Sequence, residues 1–175
     1  MKLQLSSEPA DTLKHKCLAL GVFADEKPPR GICGFIDWRL NGYISREIRQ
    51  GNISGKLAEK IIIPAPPRLN AEILMICGMG TAAKFSTEQM QRFAHLTIES
   101  IDKLLIDDFS LELPGPNRVT LALADVAQAA AAGFFEYLSQ DARRMNKIKT
   151  CLLMSPAQVK EATIGVKNFK AKIKE

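Results

Sequence analysis

The segment EILMICGMGTAAKFSTEQ (residues 72–89) is where the chain comes nearest to a ligand-binding motif. Gly78, Met79, Gly80, Thr81, Ala82 and Ala83 satisfy Gly-x-Gly-x-x-Gly/Ala letter for letter. After a strand, such glycines let the backbone approach a pyrophosphate, provided the next helix opens at them and turns its amides to the ligand. Here the helix signal comes later: Ser86, with Gln89 three positions on, has the spacing of a capping box. No acidic residue closes a following strand at the distance a ribose needs, because Glu99 and Asp102 lie inside the helical rhythm. The segment therefore reads as a turn that carries a buried strand into a helix. It keeps the capacity of any strand-end loop in an α/β sheet to rest a small anion. The candidate ligand-binding residues are Gly78, Met79, Gly80, Thr81 and Asp125, the last at the end of the apolar run RVTLALAD. Asp125 either faces a crevice or caps the helix that begins at Val126.

The other chemistry-bearing residues do not assemble into a site. His15 stands in a polar segment and His95 in a helical one, neither at i, i+4 from a second metal-ligating type, so both read as surface or helix-rim residues. Neither Gly-x-Ser-x-Gly nor Gly-x-x-x-x-Gly-Lys-Ser/Thr occurs. Asp107 and Asp108 read as the exit from a helix. Cys17, Cys33, Cys77 and Cys151 include no Cys-x-x-Cys pair, and three of them sit in apolar runs. They read as reduced, mostly buried thiols of a cytoplasmic protein. We expect no catalytic residue, no metal and no cofactor.

Charge is uneven. The net charge of +5 conceals nine Lys and Arg against two Glu from Arg143 onward, a local surplus of seven that leaves the rest of the chain at −2. Arg143, Arg144, Lys147, Lys160, Lys167 and Lys174 are candidate contacts for nucleic acid, or one solvated helix face. Aromatic residues make up 6% and are not interleaved with the basic ones, which argues against a base-stacking platform. No apolar run approaches the ~20 residues needed to span a bilayer, and the N-terminus lacks the apolar core of a signal peptide.

These residues must be positioned by alternating strands and helices. Residues 2–5, 17–24, 60–67, 72–80, 118–125 and 148–155 read as strands, the inner ones as near-continuous apolar runs suited to a sheet covered on both faces. Residues 34–51 read as one helix weakened at Asn41-Gly42, and 86–105 as a long amphipathic helix. Residues 126–144 form a helix rich in alanine, expected to be buried, and Pro156 opens the last one. Its seam is Val159, Ala162, Val166, Phe169 and Ile173. The whole of 1–175 is expected to be a single three-layer α/β domain, a mixed and mostly parallel sheet between helices.

The order of the segments CLALGVFADEK, NGYISREIRQGNISGKLAEKIIIPAP, AEILMICGMGTAAKFSTEQMQRFAHLTIESI, RVTLALAD and AAAAGFFEYLSQDARRMNKIKT resembles the N-terminal domain of the leucyl (cytosol) aminopeptidase family, over about residues 10–155. Residues 156–175 add a C-terminal amphipathic helix. The resemblance implies a macrodomain-like fold. In that family the chemistry belongs to a separate two-metal domain with an Asn-Thr-Asp-Ala-Glu-Gly-Arg segment, which is not found here, so no catalytic residue carries over. The Asn-rich and Gly-rich loops of ADP-ribose-binding macrodomains are also missing, so ADP-ribose binding does not follow from the shared fold. The resemblance implies a non-catalytic domain that docks on a protein partner or self-associates. The alternatives are nucleic-acid binding through the basic C-terminal segment, or a small anionic ligand on residues 78–83.

Overall fold

The most apolar runs become the inner strands of one sheet. The structure, a computed structural model, describes residues 1–173. Strand β1 (Lys2–Ser6) is followed by β2 (Cys17–Val22), helices α1 (Gly31–Arg39) and α2 (Tyr43–Arg49), and strands β3 (Lys60–Pro64) and β4 (Ile73–Gly78). Then come α3 (Thr87–Lys103), β5 (Asp108–Glu112), α4 (Leu123–Leu138), α5 (Ala142–Lys147), β6 (Lys149–Leu153) and α6 (Val159–Lys172). The strand order is β1-β6-β5-β2-β4-β3. Every neighbouring pair is parallel except β3–β4.

Every residue of β2 is buried, which is why its sequence is apolar without alternation. One face of the sheet packs Phe109, Leu111, Met75 and Cys77 against α3, α4 and α6. The other packs Leu18, Leu20, Leu74 and Ile76 against α1 and α2 through Cys33, Ile36, Ile44 and Ile48. The alanine-rich α4 is buried between α3 and α6. The edge strand β3 leaves Ile62 exposed and closes at Pro64, where a missing N–H is tolerated.

Four expectations are corrected. The helix over residues 126–144 is two, α4 from Leu123 to Leu138 and α5 from Ala142, where the Asp141 side chain caps the second. Residues 118–125 do not form a strand. They make a turn and the start of α4, and the fifth strand is β5, which takes in Asp108, read as part of a helix exit, and residues 109–112, for which no element is expected. The apolar run suggests a strand, but Arg118 folds inward and Leu123 opens a helix. β5 was concealed by the buried polar residues Ser110 and Glu112, which tertiary partners satisfy. The helix over residues 34–51 is two helices: Asn41 and Gly42 both take positive φ (55° and 73°), and the Asp37 carboxylate accepts the Ser45 amide at 3.0 Å to start the second. His15 is buried rather than at the surface; its Nδ1 is hydrogen-bonded to Ser110 Oγ.

In α3, the Ser86 side chain accepts the Gln89 amide at 3.2 Å, one half of the expected capping box. Leu104 and Leu105 lie beyond its end and are exposed. In the seam of α6, Ala162, Val166 and Phe169 are buried, while Ile173 is 46% exposed.

Candidate functional site

The loop after β4 directs most of its amides to its own protein. The amide of Gly78 donates to the Glu59 carbonyl (2.9 Å), that of Met79 to Val22 (3.0 Å) and that of Gly80 to Gly55 (2.8 Å). Ala82 and Ala83 donate to the two carboxylate oxygens of Asp25, at 2.7 and 3.2 Å. The Ala82 amide holds the Asp25 carboxyl below the usual range. A Cβ on Gly78 would come within 1.8 Å of the Lys56 carbonyl oxygen, so the glycine is required by a close backbone crossing. Met79 is buried. Asp125 lies in the first turn of α4, beside a shallow groove lined by Thr87, Glu88 and Gln91 but by none of Gly78, Met79, Gly80 or Thr81. Asp125 and the four loop residues thus do not line that groove together.

The basic candidates that are described sit on two elements, α5 and α6. Arg143 pairs with Asp141 at 3.0 Å, and Arg144 with Asp102 at 2.9 Å, lying over the Tyr137 ring. Lys147 is exposed on α5 before β6, and Lys160 and Lys167 are exposed on α6 after it. Lys174 lies outside the described residues.

A cleft of about 300 Å³ opens at the carboxyl ends of β1, β6 and β5, where open α/β sheets place ligands. Its apolar wall includes Ile32, Phe35, Leu113, Met154 and Pro156; Asn117, Ser155 and Gln158 add polar groups. The floor holds a cluster that the motifs did not signal. Arg118, its side chain 2% exposed, donates through Nε and Nη2 to the Glu26 carboxylate (3.0 and 2.7 Å) and through Nη2 to the Gly21 carbonyl (2.8 Å). Its guanidinium lies over the Phe23 ring. Nη1 sits 3.0 Å from Glu112 Oε1 but off the line of a hydrogen bond, which leaves that nitrogen without a partner. Glu112 accepts the amides of Ile32 (2.8 Å) and Cys33 (3.1 Å) at the start of α1.

Two carboxylates therefore face one guanidinium, and the first-turn amides of α1 stabilise the surplus negative charge. Burial pushes the Glu112 carboxyl up, against the pull of Arg118 and these amides. Burial opposes the charge on Arg118, but Glu112 and Glu26 outweigh it and hold the guanidinium protonated. The only local signals are a Glu inside FSLEL, just before Pro114-Gly115-Pro116, and an Arg just after it, and nothing in the sequence marks the two as partners.

One device recurs. The N-cap positions of α1, of the turn Ala82–Lys84 and of α4 provide no capping side chain. Each beginning is closed instead by a distant carboxylate: Glu112, Asp25, and Glu161, which accepts the Leu123 amide at 2.7 Å. Helix beginnings are natural anion sites because their amides are otherwise unsatisfied. Here the chain fills them itself.

The layered fold is that of macrodomains. An Oceanobacillus iheyensis macrodomain solved with ADP superposes with a TM-score of 0.76 at 12% identity, covering 98% of this chain and 92% of that one. A mutant of the same protein solved with ADPR gives 0.75 at 13% identity, covering 99% and 94%. A Trypanosoma brucei macrodomain gives 0.72 at 12% identity, covering 95% and 66%.

Residues 19–147 match the sequence family described as cytosol aminopeptidase family, N-terminal domain, and the chain belongs to that family. A probable cytosol aminopeptidase of Thermosynechococcus vestitus is 29% identical over 108 residues, 62% of this chain and 21% of that protein. One from Pseudomonas aeruginosa is 22% identical over 178 residues, 98% of this chain and 36% of that protein. The chain thus spans between a fifth and about a third of the length of these relatives. What it matches is the non-catalytic N-terminal domain, and among the described residues no group of three or more His, Cys, Asp or Glu is placed to hold a metal ion. Among those residues no helix is long and apolar enough to cross a membrane.

Proposed function

We propose that this non-catalytic, macrodomain-like domain binds a small molecule in the cleft between α1 and residues 113–118. The observation that carries this reading is the cleft itself: a concave, largely apolar recess with a few convergent polar groups, at the carboxyl ends of parallel strands. The macrodomains that share the fold were solved with ADP and with ADPR, which supports a ligand-binding use of the architecture. The cleft is a better place for the ligand than residues 78–83, where the amides of Gly78, Met79, Gly80, Ala82 and Ala83 are engaged. The test is an amide-resolved NMR titration with ADP, ADP-ribose, adenosine and small primary amines. Saturable shifts at Ile32, Asn117 and Gln158 support the reading. A panel that leaves all three unmoved refutes it.

A second reading, docking on a protein partner or a second copy of the chain, is favoured by one observation. Phe35, at the cleft wall, stacks with Trp38 along α1, with ring centroids 6.1 Å apart, and Trp38 is 69% exposed. Large exposed aromatic residues are typical anchors of interfaces. Nucleic-acid contact through α5 and α6 has less support, since Arg143 and Arg144 already hold carboxylates. A cytoplasmic location is proposed from the four unpaired cysteines.

A further inference from the structure

We propose that Glu112 is a built-in occupant of an oxyanion site, and that it sets the cleft against anionic ligands. The site has three donors. Two are the amides of Ile32 and Cys33, and the third is Nη1 of Arg118, which is buried, has no hydrogen-bond partner and lies 3.0 Å from the carboxylate. Convergent amides at a helix start joined by a guanidinium are what a carboxylate or phosphate oxygen seeks. Gly31 makes the room. Its φ is +64°, and a Cβ there would stand 2.6 Å from Glu112 Oε1, so any side chain at this position would crowd the carboxylate.

The charge balance decides which ligands can enter. Glu112 and Glu26 share one Arg118, and Glu8 lines the same cleft. A free oxyanion would have to displace a tethered carboxylate, which is already held in place, and would then meet two further acidic groups. Neutral or amine-bearing ligands meet neither obstacle. The occupant therefore acts as the specificity-determining residue of the cleft. Its removal exposes a site for small carboxylates and phosphate.

This rests on the cleft as the ligand site, but its test uses different probes and variants, so the two can fail separately. Thermal melts of the wild type, Glu112→Ala, Glu112→Gln and the double variant Glu112→Ala/Arg118→Met are compared in acetate, in phosphate and in chloride at matched ionic strength. The expected result is that only Glu112→Ala is stabilised specifically by acetate or phosphate, with an affinity about tenfold or more above that of the wild type. Glu112→Gln keeps the volume filled, and the double variant lacks the guanidinium, so neither should respond. Should Glu112→Ala fold poorly, refolding yield in acetate against chloride is the readout. Equal responses in all four proteins, saturable acetate binding by the wild type, or a Glu112→Ala protein indifferent to both anions would overturn the proposal.

Discussion

The carboxylate of Glu112 accepts the amide hydrogen of Ile32 at 2.8 Å across 80 residues of sequence. A helix start that has no capping side chain of its own is thereby closed from the far end of β5. The arrangement ties the end of β5 to the start of α1, and both border the cleft.

Arg118 is the hinge of that tie, since it holds Glu26 and lies against Glu112. Removing one partner of a buried ion pair leaves an uncompensated charge and costs about 3–5 kcal/mol. Arg118→Met should therefore destabilise the domain by that order in urea unfolding. Arg118→Lys should recover only part of the loss, because an ammonium cannot reproduce the forked contacts to Glu26. A loss below ~1 kcal/mol for Arg118→Met would show that the cluster is not a structural unit.

His15 gives the pH dependence a sign. Burial lowers its pKa from 6.5, so the folded protein favours the neutral ring. Below that value the unfolded chain binds the extra proton first, and stability must fall as pH drops from about 6.5 through the depressed folded value. Stability curves of wild type and His15→Gln should separate near neutrality and converge as pH falls through this window. Parallel curves would contradict the assignment.

The loop of residues 78–83 should behave as structure. Gly78→Ala forces a Cβ into the Lys56 carbonyl and should destabilise by about 1–3 kcal/mol. Asp25→Ala frees the Ala82 and Ala83 amides and should cost ~1 kcal/mol, the scale of a lost cap. Both are read by urea unfolding; wild-type stability in both would show that these contacts contribute little.

Trp38 is the only tryptophan, and its side chain is largely in water. Trp38→Ala should change folding stability by less than ~0.5 kcal/mol, as expected for an exposed site away from structural features. If α1 docks a partner or a second copy, the same change should abolish any concentration-dependent rise in mass seen by light scattering. An unaffected assembly would remove α1 from the interface.

Much of the fold was legible because burial on two faces writes itself as continuous apolar sequence, as in β2 and β4. The amphipathic rhythm of α3 and the Pro156 start before α6 were legible for similar local reasons. β5 was not. Its Ser110 and Glu112 are satisfied by His15 and by α1, partners far along the chain, so the local pattern looked too polar for a strand. The cleft cluster was illegible for the same reason: Glu26, Glu112 and Arg118 are distant in sequence, and none belongs to a motif. The Gly-x-Gly segment, by contrast, stood out locally. Only tertiary contacts reveal that Asp25 closes the turn that follows it.

The most direct measurement is a backbone-amide NMR titration of the wild-type domain with inorganic phosphate, followed at Ile32 and Cys33. With Glu112 holding both amides, neither resonance should shift in a saturable way. Saturable movement of the two together would mean that the site is open to anions and that Glu112 does not guard it.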